Sequence, residues 1–192
     1  MKYFLIIFIP VLLGSCSVKD DAVRYLLEPA ISQSSTSSSR PGVAIARPTL
    51  PPYLERSELV TRSGSGTLEI HENELWSEPL DKGIARVVAD NLRRLTRSTN
   101  VQPAENFVAQ DYVTLLEIRI ERFDPLPDGS VVLECTWKAQ PVGGGDAAMR
   151  SFSTTVPVTG GADVGMKASK QSRIPAMNEA LARLSRTIAK SL

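Results

Sequence analysis

The side chain in this sequence best placed to do chemistry is the thiol of Cys16. It closes the run Leu13-Gly14-Ser15-Cys16, whose order of apolar, small, small and Cys is that of a bacterial lipobox. At such a site the sulfur is diacylated, the peptide before the Cys is removed, and the new amino group is open to a further acyl chain. Each buried CH2 contributes about 0.8 kcal/mol, so several chains on one residue anchor far better than one. The upstream residues suit this reading. Lys2 is a short positive start, and Phe4 to Leu13 is an uncharged apolar run. That run is half of the roughly 20 residues a membrane-crossing helix needs. Residues 1–15 therefore read as a cleaved signal peptide. Ser17 follows the Cys, where an Asp would favour retention at the inner membrane. Ser at that place favours transfer to the inner leaflet of the outer membrane.

The other reactive residues are isolated. His71 is the one histidine, beside Glu69, Glu72 and Glu74, and reads as an exposed loop or strand-end residue rather than a metal ligand. Cys135 falls on the inward side of an alternating run and reads as a small buried hydrophobe. Gly143-Gly144-Gly145 has no following Lys-Ser/Thr, so it is a turn and not a phosphate cradle. No nucleophile elbow, zinc-protease, Walker or dinucleotide-binding motif occurs. No catalytic constellation, metal or cofactor is expected beyond acyl lipid on Cys16. Trp76, Glu78 and Pro79 are a different kind of candidate. A Trp just before a helix opened by Glu78-Pro79 can serve as a partner-interface anchor, or it can plug the end of the core.

Composition agrees with a binding role. The chain has 192 residues, 22 Lys+Arg against 21 Asp+Glu, and a net charge of +1. Removal of residues 1–15 takes away Lys2 alone among charged side chains, leaving 21 against 21. No broad basic field exists to attract nucleic acid. Residues 16–41 form a lipidated N-terminus and a flexible lead, with the low-complexity tract Ser32 to Ser39 at its centre. That tract reads as a loop insertion or as a tether giving reach from a membrane. Tyr25-Leu26-Leu27 within the lead is a short edge-strand candidate.

Residues 42–192 read as one folded domain. Val43 to Arg47 is a buried strand, ended by Pro48, Pro51 and Pro52. Leu59 to Arg62 and Thr67 to Ile70 form a hairpin about Ser63-Gly64-Ser65-Gly66. Ile84, Val87, Val88, Asn91, Leu92 and Leu95 recur at helical spacing after Leu75 to Leu80. Arg93, Arg94 and Arg97 sit where cations suit that helix's C-terminal dipole. Strands at 112–122, 130–140 and 149–158 alternate and form an antiparallel meander. Asp124 to Gly129 turns the chain between the first two. Ile174, Met177, Leu181, Leu184 and Ile188 give a second amphipathic helix, with Pro175 in its first turn. The expected class is α/β (α+β): a mixed, largely antiparallel sheet with two main amphipathic helices.

The order of these pieces resembles the ABC-type transport auxiliary lipoproteins, the PqiC-like family. It is carried by Cys16, Tyr25-Leu26-Leu27, Val43 to Arg47, Pro51-Pro52-Tyr53-Leu54 and Leu59-Val60-Thr61-Arg62. Leu75-Trp76-Ser77-Glu78-Pro79-Leu80, Arg122-Phe123-Asp124, Val132 to Trp137 and the closing Leu181 to Ala189 helix complete it. The family often has Arg-Trp-Ala-Glu-Pro-Leu at the helix start; Leu75 and Ser77 depart from it here. The resemblance implies a three-layer-like α/β domain and a non-enzymatic role. It also implies partners: a membrane through acylated Cys16, an MCE-domain protein, ABC transporter components, and a ring of like copies. The implied place is the periplasmic face of the outer membrane, docking an MCE tunnel that moves lipids or other hydrophobic molecules. The alternative is a structural or assembly lipoprotein, pilot-like, with no transport role.

Overall fold

The computed structural model describes residues 22–32, 41–64, 66–107, 111–157 and 173–192. Cys16, the signal peptide and residues 33–40, which hold nearly all of the Ser-rich tract, lie outside them. The strands are β1 (Val23–Tyr25), β2 (Val43–Ile45), β3 (Glu58–Gly64), β4 (Thr67–Trp76), β5 (Val101–Pro103), β6 (Thr114–Pro125), β7 (Val131–Pro141) and β8 (Arg150–Val156). The helices are α1 (Leu80–Thr96) and α2 (Arg173–Ala189).

The fold is α+β, with the strands in two mixed sheets. One has the order β1-β4-β3 and the other β5-β2-β6-β7-β8. The antiparallel ladders β3-β4, β6-β7 and β7-β8 are long, whereas the parallel pairings of β1 with β4 and of β2 with β5 and β6 span three residues each. The expected meander is present as β6-β7-β8. Both helices pack on each other and against the five-stranded sheet, and β3 lies against β6.

Periodicity explains most of this. On β7, Val131, Leu133, Cys135 and Trp137 are at most 2% exposed, and the matching set Leu116, Ile118 and Ile120 on β6 is at most 3% exposed. A register shift between Ile120 and Arg122 then changes the phase, so Phe123 turns inward and is fully buried. Ile84, Val87, Val88 and Leu92 on α1 and Leu181, Leu184 and Ile188 on α2 are fully buried, as their helical spacing requires.

Four local expectations change. Asp124 and Pro125 belong to β6; the turn follows them, closed by Leu126 N–H on Ser130 O at 2.8 Å with Gly129 at φ +83°. β4 runs on to Trp76 instead of ending at Ile70. Its second half, His71-Glu72-Asn73-Glu74, has no apolar alternation, and pairing with β1 orders its end at Glu74 to Trp76. β5 is a further strand, held between β2 and α1. Residues 22–32 also pack into the domain, with Leu27 only 2% exposed in the core.

Gly42, just before β2, is held by close approach. A Cβ there would lie 2.5 Å from the Asp111 carbonyl oxygen and 2.9 Å from Tyr112 Cα. Its own carbonyl accepts the Val113 N–H at 2.9 Å. Both neighbours are backbone, so neither yields by a rotamer change. Gly42→Ala is expected to cost about 1–3 kcal/mol in a denaturant titration; an unchanged midpoint would show that the loop at Asp111 moves freely.

Candidate partner-docking site

Trp76, Glu78 and Pro79 come together on one cleft of about 740 Å³. β4 delivers Trp76, whose N–H donates to Ser57 O at 2.7 Å; the next N–H, of Ser77, donates to Tyr25 O at 2.8 Å. The strand therefore stays fastened up to the residue before the helix. Pro79 is the N-cap, with φ −52° and ψ 132°, and its carbonyl accepts the Gly83 N–H at 3.0 Å to start α1. Asp81 in the first turn suits the positive helix end.

Glu78 is tied down by Arg86, whose Nε donates to Glu78 Oε1 at 3.1 Å while its Nη2 donates to Leu27 O at 2.8 Å. One guanidinium thus joins the helix start to the segment after β1. Gly83 makes room for this pair, since a Cβ there would lie 3.1 Å from Glu78 Oε1.

The cleft has an apolar floor and a charged rim. Leu50, Leu54, Trp76 and Leu80 are at most 8% exposed, while Ser77 and Pro79 are exposed. At the rim Arg47 meets Asp81 at 3.4 Å and Glu105 at 3.0 Å. Arg47 and Glu105 are half-exposed, so their pair contributes at most about 1 kcal/mol. Sequence reasoning found the β4-to-α1 half of the cleft. It missed Arg47, Leu50 and Leu54, which the short loop after β2 brings to the opposite wall from a distance in sequence that no spacing rule spans.

The remaining candidates sit elsewhere. His71 lies inside β4, with Nε2 at 2.9 Å from Thr61 Oγ1 and Nδ1 at 3.7 Å from Glu74 Oε1. Thr61 is only 5% exposed, so this row of hydroxyl, imidazole and carboxylate joins β3 to β4 and offers substrate little access. Among the described residues no three His, Cys, Asp or Glu side chains stand together as a metal site. Cys135 is 2% exposed, and its thiol is pushed up to about 12, first by burial and then by nearby Glu121. A thiol so held is not a nucleophile.

A cluster that sequence reasoning did not single out joins the two sheets. Asp124 Oδ2 accepts Arg62 Nε at 2.7 Å and Arg122 Nε at 3.0 Å, and Oδ1 accepts the Tyr53 hydroxyl at 2.8 Å. The Arg62 guanidinium also lies 5.8 Å from the centre of the Tyr53 ring. Burial, then the hydrogen bond to Asp124, raises the Tyr53 hydroxyl to about 12.

The family model for the ABC-type transport auxiliary lipoprotein component matches residues 25–189. No curated protein matches the sequence. The crystal structure of an uncharacterized protein aligns at TM-score 0.70 and 19% identity, covering 88% of this chain and 96% of that one. A Xanthomonas campestris protein of the DUF330 family aligns at TM-score 0.64 and 16% identity, covering 86% of this chain and 92% of that one. A PelC dodecamer from Paraburkholderia phytofirmans aligns at TM-score 0.44 and 14% identity, covering 80% of this chain and 90% of that one. At these identities the first two likenesses are likenesses of fold.

Proposed function

This chain belongs to the family of ABC-type transport auxiliary lipoprotein components, and from that premise we propose that it is the outer-membrane docking piece of an MCE-type transport system. Its family is one of transport auxiliaries and not of enzymes. In this reading Cys16 carries the acyl chains, and the folded domain stands on the periplasmic face of the outer membrane. There it receives the end of a periplasmic MCE tunnel through which an ABC transporter moves lipids or other hydrophobic molecules. Glu78 and Pro79, at the cleft that Trp76 floors from the core, are assigned to the contact with that partner, and like copies to a ring around the tunnel's end. The observation that carries the reading is the family match across residues 25–189, with the run Leu13-Gly14-Ser15-Cys16, which has the lipobox order, upstream of it.

Two measurements test it. Cys16→Ala is expected to move the protein from the membrane pellet to the soluble periplasmic fraction, and retention in the pellet would remove the anchor from the account. A pull-down of the native protein from solubilised membranes is expected to recover an MCE-domain protein. A membrane-bound protein that recovers none would instead be a structural or assembly lipoprotein.

A further inference from the structure

We infer that the side of the domain carrying β1 and the adjoining stretch of β4 rests on the lipid leaflet that holds acylated Cys16. This deepens the anchoring reading above, on which it rests, by naming the face that meets the bilayer.

The first support is where the packed chain begins. Val23, Arg24 and Tyr25 pair with Glu74, Leu75 and Trp76, and Leu27 lies in the core. The Glu28 N–H then donates to Asn178 Oδ1 at 3.0 Å, and the Ile31 N–H to Asn91 Oδ1 at 3.3 Å. The segment is thus fastened to β4 and to both helices, and the Ser-rich tract follows it instead of separating it from the anchor. The tether is only the stretch from Cys16 to Val23, seven residue steps. At 3.3–3.6 Å per residue it reaches roughly 25 Å at most. A folded unit of this size is roughly 40 Å across. The domain therefore has too little slack to turn its far side to the membrane.

The second support is the surface beside the tether. Val23, Leu26 and Ile70 are 48%, 42% and 47% exposed. Among the described residues β1 is the edge strand of its sheet and pairs with Glu74 to Trp76 alone, so Val23 and the stretch of β4 running back to Ile70 lie along one edge of that sheet. Exposed Val113, Val142, Met149 and Leu192 lie at another end of the molecule, where β6 begins, β7 and α2 end, and the chain leads into β8. Glu69 and Glu72 are exposed on either side of Ile70. Arg24, exposed beside Val23, offsets one of them, so this edge carries both signs and fits a leaflet with zwitterionic headgroups.

The test uses the full acylated protein in vesicles of phosphatidylethanolamine and phosphatidylglycerol with brominated acyl chains. Val23→Trp, Ile70→Trp and Met149→Trp are compared one at a time. Native Trp76 and Trp137 are 8% and 2% exposed and supply a constant background. The added emission at positions 23 and 70 is expected to be quenched, and that at 149 retained. Flotation with the vesicles but unquenched emission at 23 and 70, or equal quenching at all three, overturns the orientation and leaves the anchor standing. Failure to float overturns the anchor and this inference with it.

Discussion

Asp124→Ala is expected to cost about 3–5 kcal/mol, the loss typical of removing one partner from a buried charge cluster. For a chain of this length that lowers Tm by roughly 6–20 °C, read by calorimetry. The carboxylate is fully buried and ties Arg62 of β3, Arg122 of β6 and Tyr53 together. Without it, two guanidiniums face each other across the joint between the sheets. The exposed edges of Arg62 and Arg122, at 23% and 28%, let water recover part of the cost. Asp124→Asn keeps the shape and should fall between the variant and the parent. A change within 2 °C on Asp124→Ala would show that the sheets are joined by apolar packing alone; this threshold is about 1 kcal/mol or less.

The same cluster sets an alkaline limit. The Tyr53 hydroxyl is raised from 10.0 to about 12, by burial first and by Asp124 second. Its neutral form is the one the fold holds. That stabilisation is complete below pH 10, where the unfolded phenol is also protonated. It shrinks as pH rises from 10 to about 12 and the unfolded phenol alone ionises. Asp124→Ala removes the second cause, so its stability should fall less steeply across that window.

Trp76→Ala should cost about 3–5 kcal/mol, because it deletes a large side chain from a packed site. Trp76 is 8% exposed and belongs to the main core cluster with Leu54 and Leu80. Its bulk thus plugs the end of the core, and the cleft is built above it. A thermal scan showing a loss of that size fits this placement. A variant that melts like the parent and loses only partner binding would mean that the ring serves the surface instead.

Much of the architecture follows from local pattern. The faces of α1 and α2 and the inward rows of β6 and β7 repeat at periods that a helix or strand imposes on any chain, so neighbours in sequence suffice to reveal them. β1 and β5 have three residues each, and their partners lie far away along the chain. No periodicity can be read from three residues. The second half of β4 is polar, and Glu74 in it is buried at 3% exposure, against every local preference. Such a stretch becomes a strand because a neighbouring strand takes up its backbone groups. Asp124 is the same kind of case: beside prolines it has the look of a turn residue, and only Arg62 and Tyr53, 62 and 71 positions away, make it a buried joint.

The sequence by itself determined the α+β class, the meander and both amphipathic helices. The physical reason is that hydrophobic periods are written in adjacent residues. Tertiary structure decided that Trp76 faces the core, that Glu78 is held by Arg86, and that Arg47 and Leu50 complete the cleft. It also decided where the domain starts. Residues 22–32 carry too little apolar pattern to announce a packed segment, yet β4, Asn91 and Asn178 take up their backbone groups. That pairing moves the start of the fold ahead of the Ser-rich tract and leaves only a short lead from Cys16.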